Sequence, residues 1–98
     1  MKPVHVHPEA EAEADGAFEW YLAQSESAAF GFDADLRDAF SALLRRSLLS
    51  CAPYLRGTRR VLLRRYPYFV VFRELPYEIQ IIAVAHAKRR PGYWAGRL

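Results

Sequence analysis

The chain has 98 residues, enough for one hydrophobic core but not for two. Apolar residues make up 52% of it and the formal net charge is +3, which excludes wholesale disorder, while no stretch approaches the roughly 20 apolar residues of a membrane span. The acidic, Ala-rich start lacks the basic and apolar sections of a signal peptide, so the cytoplasm is the expected location; the lone Cys51 forms no internal disulfide, no Cys/His spacing resembles a zinc site, and neither metal nor cofactor is expected.

Met1 to His7 alternates, with Val4 and Val6 on one side, and predicts a strand. Pro8 fits the first turn of a helix, where its missing N–H costs nothing, and Glu9, Glu11 and Glu13 favour that helix's positive end. Ala10, Ala14, Ala17, Phe18 and Tyr21 recur at helical spacing, which predicts a helix over residues 8–23. Gly16 is its weak point, since glycine in a helix interior costs about 1 kcal/mol relative to alanine. Ser25 or Ser27 can cap a second helix, in which Ala29, Phe32, Leu36, Ala39, Phe40, Leu43, Leu44 and Leu48 keep the helical period. Two such helices on a short link make a hairpin with apolar stripes to cover.

Ser50 to Thr58 carries Pro53 and Gly57 and reads as a loop. Beyond it the composition turns β-branched and aromatic, and Arg59–Tyr66, Tyr68–Leu75 and Glu78–His86 read as successive strands with turns at Pro67 and Pro76-Tyr77. The expected fold is α+β over a single domain, residues 1–98. Its order is β-α-α-β-β-β, with the N-terminal strand and helical hairpin packed in two layers on a small antiparallel sheet.

Charge is divided unevenly along this order. Residues 1–50 hold four Lys/Arg against nine Asp/Glu and residues 51–98 hold ten against two, so the formal balance swings from −5 to +8. Such a split points to a face that meets a polyanion or an acidic partner. Strand alternation puts Arg60, Leu62 and Arg64 on one face and Arg59, Val61, Leu63 and Arg65 on the other. Helices cover one face only, so part of this set is exposed, either to bind or simply to discourage edge pairing. In the closing run, Lys88, Arg89 and Arg90 precede a Pro91-Gly92 turn and then Tyr93 and Trp94. Cations beside rings can hold a phosphate backbone while a base stacks, or receive an acidic peptide with apolar anchors; for Trp94, folding back onto the core is the favoured alternative. His86 can act as an acid or base near neutral pH, with a structural hydrogen bond as the favoured role. His5 and His7 do not make a metal pair, and Cys51 has no evident base.

The element order, together with Phe18-Glu19-Trp20-Tyr21, Arg64-Arg65-Tyr66-Pro67-Tyr68-Phe69-Val70-Val71-Phe72, and Ile82-Ala83-Val84-Ala85-His86 leading to Arg89-Arg90-Pro91-Gly92-Tyr93-Trp94, resembles the RelE/ParE toxin superfamily, in particular its plasmid-stabilisation branch. The resemblance implies a toxin encoded beside an antitoxin, in a hetero-oligomer with it. RelE-like members cut messenger RNA in the ribosomal A site with basic residues and a C-terminal tyrosine, without a metal, whereas ParE-like members poison DNA gyrase. The ribonuclease pattern, carried over, gives Arg60, Arg64, His86, Arg89 and Tyr93 as its catalytic set. Phe69, Leu62 and Ala87 stand where that pattern has basic residues, so the leading expectation is a ParE-like binding toxin, with the ribonuclease and an inactive binding protein as alternatives. Its target- or antitoxin-binding residues are then Arg65, Arg73, Lys88, Arg89, Arg90, Tyr93 and Trp94, and the antitoxin is expected to bring an acidic C-terminal region.

Overall fold

The computed structural model describes residues 2–45 and 51–98. Strand β1 (Val4–Val6) leads into helices α1 (Pro8–Gln24) and α2 (Glu26–Arg45), followed by β2 (Ala52–Pro53), β3 (Arg59–Leu62), β4 (Tyr68–Glu74) and β5 (Ile79–His86). Met1, Leu48 and Ser50, expected to start the first strand, end the second helix and open the loop, lie outside the described residues.

Local chemistry fixes the helix boundaries. Pro8 occupies the first turn of α1, and the Glu9 N–H donates to the His7 imidazole (3.1 Å). The Ala28 N–H donates to the Ser25 hydroxyl (3.0 Å), so the cap of α2 falls on Ser25 rather than Ser27.

The strands form one sheet in the order β1-β5-β4-β3-β2. It is mixed rather than wholly antiparallel, because β1 runs parallel to β5. An edge strand reached through a helical hairpin is free of the constraint that a short turn imposes. A second difference is β2, where Ala52 and Pro53 pair with Arg60 and Arg59 inside the expected loop. Proline is tolerated there because the strand is an edge.

The hairpin covers one sheet face. Phe32, Leu36, Ala39 and Leu43 of α2 pack with Leu63, Val70, Phe72, Ile79, Ile81 and Val84. Each large apolar side chain buried this way contributes about 1.5–3 kcal/mol. In β5 the register slips at Ile82, since Val71 pairs with Ala83 but Phe72 with Ile81. This bulge changes the alternation, so that Ile79 and Ile81 before it and Val84 after it all reach the helix side.

The opposite face is also apolar. Phe69, Val71, Ile82, Ala83 and Ala85 form a second small core with Trp94, flanked by Tyr54 and Tyr93. Residues 91–98 fold back as a partial third layer, where two layers were expected.

Candidate functional site

Strand β3 ends at Leu62 instead of running to Tyr66, and the cause lies in α2. The buried Asp35 carboxylate, 6% exposed, accepts the N–H groups of Arg64 (3.1 Å), Arg65 (2.8 Å) and Tyr66 (3.2 Å). Backbone donors that would have entered a strand ladder are gathered around one anion. The Arg64 and Arg65 side chains therefore leave the strand alternation and stand exposed on a tight turn.

A second basic turn lies beside it. Tyr68 pairs with His86 across β4 and β5, and one step further the Ala87 N–H donates to the Pro67 carbonyl (2.8 Å). This bond ties residues 64–67 to the turn carrying Lys88, Arg89 and Arg90, all exposed. Gly92 closes that turn with φ of +81°, a conformation that side chains disfavour. Arg64, Arg65, Lys88, Arg89 and Arg90 thus crown one end of the sheet, and neither turn contains an acid.

Next to the crown opens a recess of about 290 Å³ between α1 and the tail, lined by Gly16, Trp20, Tyr68, His86, Arg89 and Tyr93 among others. The Tyr68 and His86 rings meet edge to face at 4.9 Å, and the Arg89 guanidinium lies 3.9 Å from the Tyr93 ring centre. The His86 Nδ1 accepts the Lys88 N–H (3.0 Å), which leaves Nε2 to carry the proton of the neutral ring.

Glu13 latches the tail in place. Its carboxylate accepts the Tyr93 hydroxyl (2.5 Å), both terminal nitrogens of Arg97 (2.8 and 3.0 Å) and the Val84 N–H (3.1 Å). Arg97 also donates to the Ile82 carbonyl (3.1 Å). These contacts satisfy the edge of β5 beyond the point where β1 stops. Burial pushes the Glu13 carboxyl up, but the bonds from Arg97, Tyr93 and Val84 outweigh it and hold it below its ordinary value. Burial, and then the bond to Glu13, raise the Tyr93 phenol well above its ordinary value.

The model of the ParE toxins of type II toxin–antitoxin systems, parDE, matches residues 4–91. This chain belongs to that family. Among solved structures, the "Chromosomal ParDE TA system from P. aeruginosa" superposes with a TM-score of 0.78 at 21% identity, over 90% of this chain and 98% of that one, a likeness of fold. No curated protein matches the chain.

Within this ParE-family chain the sequence-predicted residues separate into groups. Arg64, Arg65, Lys88, Arg89 and Arg90 share the crown, while His86, Arg89 and Tyr93 share the recess. Arg60 lies elsewhere, its guanidinium over the Tyr54 and Phe69 rings at 4.3 and 5.0 Å. Arg73 sits toward the far end of β4, bonded to Gln80 (2.8 Å). Trp94 is 1% exposed and fills the tail-side core, the alternative favoured for it from the sequence, so it leaves the set of docking residues. Sequence reasoning missed Asp35, Glu13 and Arg97. In sequence Glu13 reads as an acid favouring the positive end of its helix, and Asp35 sits among helical core positions with no local mark of its role. Among the described residues, no helix is long and apolar enough to cross a membrane.

Proposed function

We propose that this chain is the toxin of a toxin–antitoxin pair and arrests growth by binding DNA gyrase in the cytoplasm, without itself doing chemistry. The observation that carries this reading is the basic crown, five exposed cations on two turns tied by one backbone bond. A cognate antitoxin with an acidic C-terminal region neutralises it by folding over that surface in a hetero-oligomer, gaining affinity from a large wrapped area. The ribonuclease set argues less well for cutting, because Arg60 is engaged on aromatic rings away from the recess and the Tyr93 phenol donates to Glu13.

The recess shared by His86, Arg89 and Tyr93 keeps a message-cleaving reading as the second one. Induction of the toxin without antitoxin decides between them, by comparing gyrase-trapped DNA breaks with site-specific cleavage of ribosome-bound messenger. His86→Ala and Tyr93→Phe are expected to leave growth arrest intact, whereas charge reversal at Arg89 and Arg90 abolishes it. Loss of toxicity in the first two variants, with messenger cleavage in the parent, would refute the gyrase reading. Normal growth with neither signal would mark an inactive binding protein.

A further inference from the structure

Trp20 and Gly16, on the wall of the recess, take no part in the latch, and both are unusual where they stand. The Trp20 side chain is 60% exposed although large aromatics are ordinarily buried. Gly16 interrupts a helix that alanine would strengthen, and a Cβ placed there would meet no atom within 4 Å. Together they leave a low wall and a largely exposed indole, in edge-to-face contact with Tyr21 at 5.1 Å, beside Tyr68, His86 and the Arg89-covered Tyr93. Glu13 is the acid of this lining, and its charge is matched by Arg97.

We propose that recess and crown together hold a single strand of DNA, one base lying in the recess against Trp20 and the flanking phosphates on Arg64, Arg65, Lys88, Arg89 and Arg90. The inference rests on the gyrase reading, in which the toxin sits on an enzyme whose substrate is DNA. Charge favours a polyanion, and the exposed Trp20 ring offers a base a surface to stack on. Ring stacking tolerates any base, and guanidinium forks grip phosphate, so the site binds without reading sequence.

The test is binding of the full chain to a labelled oligothymidylate, followed by anisotropy across a salt series and by tryptophan emission. Trp94 is buried, so quenching reports on Trp20. Affinity is expected to fall steeply with salt, and Arg89→Ala with Arg90→Ala to reduce the salt slope by roughly one per cation removed. Trp20→Ala is expected to weaken binding by roughly 5- to 100-fold with the salt slope unchanged. Gly16→Leu fills open space on a helix, keeps the fold and blocks the base, giving a similar loss. Unchanged affinity in both recess variants overturns the proposal, as does tighter binding of oligouridylate. Gyrase-trapped breaks from a toxin that does not bind the oligonucleotide also overturn it while leaving the gyrase reading intact. The binding signatures without such breaks support the site and count against that reading alone.

Discussion

Gly31 illustrates how closely one position can be specified. A methyl group there would overlap the Tyr66 hydroxyl, which donates to the Ala28 carbonyl (2.8 Å). Tyr66 also packs edge to face on Tyr21 and Phe32, at 4.9 and 5.7 Å, so its ring has little freedom to retreat. Gly31→Ala should destabilise the fold by about 1–3 kcal/mol, the usual cost of overpacking. Tyr66→Phe alone should cost about 1 kcal/mol for the lost hydrogen bond. Combined, the two should cost less than their sum, because the clashing oxygen is gone. Urea denaturation of the four proteins measures this, and strict additivity would rule out the hydroxyl as the source of the clash.

At the scale of elements, the end of β3 is set from outside the strand. Asp35→Ala would leave the N–H groups of Arg64, Arg65 and Tyr66 without their anion, costing about 3 kcal/mol and unpinning half of the crown. Asp35→Asn keeps one carbonyl acceptor and should cost less. Thermal unfolding gives the stability, and faster amide exchange at residues 64–66 in the alanine variant separates local release from global loss; protected amides there would contradict the anchoring role. The same residue explains what was legible in the sequence. Both helices and the run of strands follow from apolar periodicity, which is local. Alternation through Arg59–Tyr66 gave no sign of a carboxylate 29 residues earlier that ends the strand at Leu62. The sheet-edge pairing of Ala52-Pro53 was hidden for a similar reason, since its partner is set by register and not by composition. The tail cations stand out in the composition, and their proximity to Arg64 and Arg65 follows from the β4–β5 pairing, with Tyr68 opposite His86, which the bond from Ala87 to Pro67 extends by one step.

For the whole molecule, the charge split becomes a wiring of one half into the other. Acids of the first half do not merely face solvent opposite the cations: Asp35 holds one basic turn, and Glu13, with Glu9 at 3.3 Å, holds Arg97 and with it the tail behind the other. This wiring makes stability depend on pH in a defined direction. The Glu13 carboxyl is held below its ordinary value of about 4.5, so the unfolded chain takes up its proton before the folded one does. Its contribution is therefore complete above about pH 4.5 and is lost as pH falls through the lower, folded value. The raised Tyr93 phenol works in the opposite sense, contributing fully below about pH 10 and losing that contribution as pH rises through its folded value. Glu13→Gln should flatten the acid side of the stability profile, and Tyr93→Phe the alkaline side. Each variant should also expose Trp94, since the tail that buries it loses its tie. Melting temperatures across pH with tryptophan emission measure both effects. An acid slope unchanged by Glu13→Gln would mean that other carboxylates, and not this latch, bind the acidic half to the basic one.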